Sequence, residues 1–323
     1  MPTPTIRIAA VLATASCAHA APDAYRDLVA AESPILWYRM GEPVGSVSVL
    51  NEGTLGPSHS ANVFGGVTLG ESSASGDTAA SFDFAGTPYL ESVGLAPSSM
   101  LGNPSFTAEA VVWVPETGGQ TQLWPPFLHW GEGSTAREAY FSFQRGDNDR
   151  VFCGFYNGGL MSECLVRRGE WNHFVWVRDS NNGTNDAYTG SRLFVNGIEE
   201  NLVLAAGLPN FAGPPDVVQT SFRVQRARDG YRHFDGLIDE VVLYDTLHTP
   251  EQIEARFDAL DLVPPTLCPA DINGSCGILD LTDVDLFIAG FLSQDPIADL
   301  DNSGFWDLTD IDLFIASFLA GCP

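Results

Sequence analysis

One pattern occurs twice in residues 268–322, and nothing else in the chain constrains its fold as tightly. The first copy reads Asp271-Ile-Asn273-Gly-Ser275-Cys276-Gly277-Ile-Leu-Asp280-Leu-Thr-Asp283. The second reads Asp299-Leu-Asp301-Asn-Ser303-Gly304-Phe305-Trp-Asp307-Leu-Thr-Asp310. Each runs into a near-identical tail, residues 284–292 and 311–319. In the second tail Ile311, Phe314, Ile315 and Phe318 recur at helical spacing and make one apolar stripe. Two such helices packed through Phe287/Phe291 and Phe314/Phe318 would present near-identical outer faces.

The loop before the second helix has the oxygen spacing of a twelve-residue calcium site. Asp299, Asp301 and Ser303 occupy positions 1, 3 and 5, and Gly304 takes the sharp turn at position 6. Phe305 offers a backbone carbonyl at position 7, Asp307 acts through water at position 9, and Asp310 closes the loop. A hard cation of this kind needs six to eight oxygens, which alternating acids in a tight loop supply. EF-hand loops normally close with Glu; both loops here close with Asp.

A loop and one helix, twice over, each loop closed by Asp, resembles the type I dockerin module. The resemblance implies Ca2+ as cofactor and a cohesin-bearing protein as partner. It implies metal ligation by Asp271, Asn273, Ser275, Asp280 and Asp283 in the first loop. It also places partner contacts at the helix starts, on Leu281, Thr282, Leu308 and Thr309. Cys268-Pro-Ala-Asp271 and Gly321-Cys322-Pro323 look like the dockerin variant stapled at its termini, which implies a Cys268–Cys322 disulfide. Cys276 is left over, either free or competing with Cys322 for Cys268. The first loop departs from the pattern. Asp271 to Asp299 is 28 residues, whereas Asp283 to Asp310 is 27, so the first loop holds one extra residue near Ser275 and Cys276. The first site is therefore expected to be the weaker.

The net charge of −26 excludes whole classes of partner. All 15 basic residues are Arg, and 268–322 holds ten Asp and no basic residue. Nucleic acid needs a basic face on the protein, and so does an anionic membrane. No run reaches the length of a membrane span. Residues 1–20 read as a secretory signal: Arg7, an apolar run over 8–15, and Ala18-His19-Ala20 before the cut. Export would deliver the protein to an oxidising, calcium-rich space.

Residues 21–262 read as mostly β, with short apolar runs set between Gly, Pro, Asn and Asp clusters. Strands are expected at 35–40, 79–84, 89–92, 106–114, 127–130, 139–145, 151–156, 160–167, 172–178, 192–195, 222–225 and 236–245. So many strands without a long helix argue for a two-sheet sandwich. One short helix is expected after Thr249, with Pro250 at its first position. Cys153 and Cys164 flank Asn157-Gly158-Gly159, a hairpin-turn signal. If Asn157 pairs with Leu160, Cys153 faces Cys164 and a cross-strand disulfide follows; otherwise both are reduced core thiols. Several phrases resemble laminin-G-like, concanavalin-A-like jelly rolls. They are Phe106-Thr-Ala-Glu109-Ala-Val-Val-Trp113, Trp171-Asn-His173-Phe-Val-Trp176, Arg192-Leu-Phe-Val-Asn196-Gly197 and Phe234-Asp235-Gly236-Leu-Ile-Asp239-Glu240. That fold hosts lectins, adhesion modules and glycosidases alike. Residues 263–267, with Pro264 and Pro265, form a short linker to the dockerin-like stretch 268–323.

No catalytic residue is assigned. A glycosidase needs two carboxylates flanking a sugar, and no Glu-x-Asp-x-x-Glu run is present. Asp239 and Glu240 are adjacent, which in a regular strand sends them to opposite faces. His173 lies in an alternating apolar strand and reads as a satisfied core histidine. Trp124, Trp130, Tyr140 and Tyr156 form either a sugar-stacking platform or, more simply, part of the core. The expected whole is a mainly β jelly-roll sandwich plus a small all-α calcium-binding module. As a function it implies a secreted, non-catalytic protein that recognises an extracellular glycan or protein and is tethered through the module. The alternatives are a glycoside hydrolase or lyase on the same fold, or a module that serves only as a stability element.

Overall fold

The computed structural model describes residues 23–82, 86–116, 124–144, 150–181, 186–227, 235–262, 268–273, 279–301 and 303–321. The signal-like segment 1–20, the linker 263–267, and Ser275, Cys276 and Cys322 lie outside them.

In chain order come helix α1 (Asp23–Ala31) and strands β1 (Leu36–Tyr38), β2 (Ser48–Val49), β3 (Ala61–Phe64), β4 (Thr68–Ser72), β5 (Thr78–Phe82) and β6 (Tyr89–Leu95). Next are β7 (Phe106–Val114), β8 (Pro126–Gly131), β9 (Glu138–Phe143), β10 (Val151–Phe155), β11 (Gly158–Ser162) and β12 (Glu170–Arg178). Last in the β region are β13 (Ser191–Val195), β14 (Ile198–Glu199), β15 (Leu202–Leu204), β16 (Ser221–Val224) and β17 (Gly236–Tyr244). Helices α2 (Pro250–Ala259), α3 (Leu281–Ser293) and α4 (Leu308–Ala320) follow.

The strands form two sheets. The eight-stranded sheet runs β14-β13-β12-β7-β17-β5-β4, with β1 also paired to β17. The nine-stranded sheet runs β15-β11-β10-β9-β8-β16-β6-β3-β2. The expected two-sheet sandwich is therefore present.

Strand β7 shows why the sheets face each other. Phe106, Ala108, Ala110, Val112 and Val114 alternate into the main core, where they meet Phe141, Phe143 and Phe155 of the other sheet. The intervening Glu109 and Val111 point the other way and are buried too, because α1 and α2 cover that outer face. A strand buried on both faces reads as a continuous apolar run, and β7 matches its expected bounds to the residue. Helix α2 starts on a capping box at Thr249 and Gln252. Tyr25 and Val29 of α1 pack with Trp37, Val242 and Leu260. The layer is pinned through Glu109, which accepts hydrogen bonds from Tyr25 Oη at 2.7 Å, His173 Nε2 at 2.8 Å and Arg256 Nε at 2.8 Å. His173 is thus in the core, as expected, but only its Nε2 is hydrogen-bonded; its buried Nδ1 has no partner among the described residues.

The Cys153–Cys164 pairing does not form. In the β10–β11 hairpin Phe155 pairs with Gly158 and Cys153 with Leu160. The turn is Tyr156-Asn157, with Asn157 at φ 68°. Gly158 and Gly159 serve the strand rather than the turn: a Cβ on Gly159 would meet the Phe152 ring at 2.4 Å. Cys153 is a free, buried thiol, whereas Cys164 is disulfide-bonded.

Residues 268–321 build a separate small core of Phe287, Phe314, Ala270 and Ala298. Phe287 and Phe314 stack 4.2 Å apart at 8°. The Ser317 hydroxyl accepts the Ala270 amide at 3.2 Å, which holds the start of this region on α4. Cys268 is disulfide-bonded.

Candidate functional site

The second loop gathers its acids. Carboxylate oxygens of Asp299, Asp301 and Asp310 lie within 4.8 Å of one another. Two oxygens on one calcium ion, each at about 2.4 Å, can be no farther apart than that, so the three acids fit such an ion. Gly304 has φ 78°, as the position 6 turn demands. The Ser303 hydroxyl donates to the Phe305 carbonyl at 3.2 Å, so the ligands expected at positions 5 and 7 are neighbours. Asp307 stands outside the three-acid group; as N-cap of α4 it accepts the Thr309 amide at 2.7 Å.

Asp310 is fully buried. Its Oδ1 accepts the Leu300 amide at 2.8 Å and its Oδ2 the Asp307 amide at 2.9 Å. The first loop repeats this: Asp283 is buried and accepts the amides of Asn273 at 3.1 Å and Asp280 at 3.0 Å. Asp280 caps α3 through the Thr282 amide at 2.6 Å. Asp271, Asn273, Asp280 and Asp283 are all described, while Ser275 is not, and no three-acid group forms in this loop among the described residues.

Above the loops the helices expose apolar surface. Leu281 is 79 % exposed and Leu308 74 %, with Thr282 and Thr309 exposed beside them. Neither leucine packs under its loop. Between α3 and α4 runs an apolar groove of about 300 Å³, lined by Phe287, Ile288, Phe291 and Leu292 on one side and Phe314 and Ile315 on the other.

A second concavity lies on the nine-stranded sheet, on the face away from the core. Tyr140 and Phe152 alternate with core residues Phe141 and Cys153 and form its floor. Trp124, Tyr156, Asn157 and Leu208 complete a cleft of about 100 Å³. Trp124 sits edge-on over Phe152 with ring centroids 4.5 Å apart. Its φ is 61°, a left-handed conformation that costs a bulky residue on the order of 1–2 kcal/mol. Trp130 is not part of the cleft. It is fully buried among Phe106 and Phe222, and its indole N–H reaches the Met100 carbonyl.

The remaining acid clusters are enclosed. A β-bulge between Ile238 and Val241 turns both of those residues into the core, so Asp239 and Glu240 share the outward side rather than opposing faces. Asp239 accepts the amides of Ala74 and Ser75, and Glu240 accepts the Trp37 indole. Both are fully buried, and burial raises both above the ordinary carboxylate range, Glu240 further through the charge of Asp239. Glu138, also buried, pairs with His129 at the edge of the Tyr140 ring.

A family model described as the concanavalin A-like lectin/glucanases superfamily matches residues 86–254, just over half of the chain. The chain belongs to the concanavalin A-like lectin/glucanases superfamily. Three solved structures resemble it at low identity. Domain 4 of AbnA, a GH43 extracellular arabinanase from Geobacillus stearothermophilus, in complex with arabinotriose, is 15 % identical, with a TM-score of 0.45 over 69 % of this chain and 98 % of that one. Trypanosoma rangeli sialidase in complex with sialic acid is 15 % identical, with a TM-score of 0.46 over 71 % and 33 %. The Ruminococcus gnavus IT-sialidase CBM40 bound to α2,3 sialyllactose is 17 % identical, with a TM-score of 0.33 over 48 % and 82 %. No curated protein matches the sequence.

For this concanavalin A-like chain, sequence reasoning found Trp124, Tyr140 and Tyr156 but not Phe152 or Leu208. Neither carries a mark of its own in the sequence, and only the register of β9 on β10 brings Tyr140 and Phe152 onto one face. Among the described residues, no helix is long and apolar enough to cross a membrane.

Proposed function

We propose that the chain is a secreted, non-catalytic binding protein with two working parts. The β-sandwich recognises an extracellular glycan or protein. The C-terminal pair of loop–helix units is a dockerin-type module that folds around calcium and docks on a cohesin-bearing partner. The observation that carries this reading is the exposure of Leu281/Thr282 and Leu308/Thr309 at matching helix starts, each directly above its loop. Large apolar side chains held in water at two equivalent points suit a protein partner.

Calcium supplies charge compensation in the second loop. Asp299, Asp301 and Asp310 would ligate it, joined by the Ser303 hydroxyl and the Phe305 carbonyl, with Asp307 acting through water. In the first loop Asp271, Asn273, Ser275, Asp280 and Asp283 would take the same roles more weakly. A Cys268–Cys322 bridge would close the module. The enclosure of Asp239, Glu240 and Glu109 supports a binding rather than a hydrolytic role, since none of the three meets solvent.

Calorimetric titration of the full chain with a type I cohesin tests the tether. Micromolar or tighter binding in calcium, abolished by EDTA, is expected. Equal binding with and without chelator would overturn the calcium-dependent module, and no binding to any cohesin would overturn the tether.

A further inference from the structure

The β-sandwich carries a cleft whose construction specifies a ligand class. We infer that the Trp124/Tyr140/Phe152/Tyr156 cleft binds one ring of a neutral oligosaccharide. The inference rests on the reading of the β-sandwich as a binding module and names its ligand and its site.

Four features point the same way. First, the side chains divide by exposure. Tyr140 and Phe152 are buried as a fixed floor, while Trp124 and Tyr156 are half-buried with ring surface open to the cleft. Aromatic faces stack on the C–H face of a sugar ring, and the polar ends of Trp and Tyr meet its hydroxyls. Asn157 on the rim supplies a carboxamide beside the rings; its amide nitrogen already donates to Thr135 Oγ1 at 2.8 Å, which fixes its orientation.

Second, Trp124 is held at φ 61°. Strained backbone conformations cluster at ligand-binding positions, and here the strained residue is one whose ring lines the opening. The floor beneath is fixed as well: Tyr140 meets the His129 ring at 4.8 Å, and His129 is paired with the buried Glu138.

Third, the cleft lies over interior strands. β9 is paired on both sides, to β8 and β10, and β10 is paired to β9 and β11. Both floor strands are thus interior, and among the described residues neither offers an extended peptide a free edge to extend. At about 100 Å³ and open to solvent, the cleft can take part of one ring but not a folded segment. Fourth, the chain carries a net charge of −26, which repels uronate-rich and sulfated glycans and leaves neutral ones.

The test is tryptophan-fluorescence and calorimetric titration of the full chain in calcium. The neutral probes are cellohexaose, xylohexaose, mannohexaose and arabinohexaose. The other probes are an alginate hexamer and a Trp-containing decapeptide. At least one neutral hexamer should bind and change the fluorescence, and the alginate hexamer should not bind. Trp124→Ala and Tyr156→Ala should each weaken binding at least tenfold. Leu208→Trp, which fills the cleft from its rim, should abolish it with an unchanged melting temperature; this variant keeps the test decisive if Trp124→Ala fails to fold. Neutral-sugar binding that survives Leu208→Trp and Trp124→Ala would place the glycan site elsewhere, overturning this inference and leaving the module a glycan binder. Binding of the decapeptide with no sugar bound would overturn the ligand class and leave the binding-protein reading standing. Preference for the alginate hexamer would overturn neutrality.

Discussion

Replacing Glu109 with Gln should destabilise the β-sandwich far more than a surface change would. Glu109 is fully buried, between the eight-stranded sheet and the α1/α2 layer. Burial alone would raise its pKa, but Arg256 and His173 beside it prevail and hold it at about 2, below an ordinary 4.5. That depression corresponds to roughly 3 kcal/mol of native-state stabilisation. The folded pKa is the lower one. The contribution is therefore complete above an unfolded pKa of 4.5 and is lost as pH falls towards 2. In Glu109→Gln the Arg256 guanidinium loses one buried partner and keeps Glu32, which is partly exposed. Breaking one side of a buried pair costs about 3–5 kcal/mol, or a fall in Tm of roughly 6–20 °C for a domain of this size. Calorimetric melts at pH 7 and pH 3 read both effects. The variant should melt lower at pH 7, and the gap should narrow at pH 3, where wild type has lost part of the same term. Glu109→Gln/Arg256→Met should be less destabilised than the two single changes added together, because no buried charge is then orphaned. Parallel pH profiles for wild type and Glu109→Gln, with melting points within about 2 °C at pH 7, would refute the assignment.

Calcium removal should unfold the C-terminal module while sparing the sandwich, so EDTA should remove α-helical circular dichroism without shifting the melting of the β-sandwich. Asp310→Asn should lower calcium affinity more than Asp283→Asn; two equal sites by calorimetry, equally sensitive, would contradict the inequality of the loops. Changing Leu281 and Thr282 to Ala should weaken cohesin binding little, whereas changing Leu308 and Thr309 as well should abolish it, since either helix start can serve; loss of binding from one pair alone would show a single docking mode. Cys153→Val should leave disulfide content unchanged by thiol counting, because Cys153 is already reduced.

Where a segment is buried on both faces, its composition alone disclosed the strand, as with β7 and β12. The strands missed were β2, β3, β4, β14 and β15. Four of these end their sheets, β14 and β4 the eight-stranded one and β15 and β2 the nine-stranded one. Such strands bury one residue in two or fewer, as Thr68-Leu-Gly-Glu-Ser72 does, so neither a period nor an apolar run marks them. Helix α1 was missed because only Tyr25 and Val29 of its turns are deeply buried. The hairpin register failed for a different reason. Asn157-Gly158-Gly159 contains a turn signal at either of two positions, and the Phe152 ring lying on Gly159 decides between them. The same blindness hid the bulge at Asp239-Glu240, because two adjacent acids carry no local mark of an extra residue in the ladder.

The closing acid of each C-terminal loop shows how loop and helix become one unit. Asp283 and Asp310 stand at the third position of their helices, where they complete a capping box with Asp280 and Asp307. The same residues end the loops, with Asp310 taking the Leu300 amide and joining the three-acid group. One short carboxylate thus faces both the loop interior and the first turn of the helix. If the loop holds calcium as proposed, metal affinity and helix formation share this residue, and its loss would weaken both. The exposed Leu281 and Leu308 sit two residues before these acids, at the first position of each helix. On the proposed calcium-dependent reading, ordering the loop would order the exposed leucines in the same step, and calcium control of docking would need no further device.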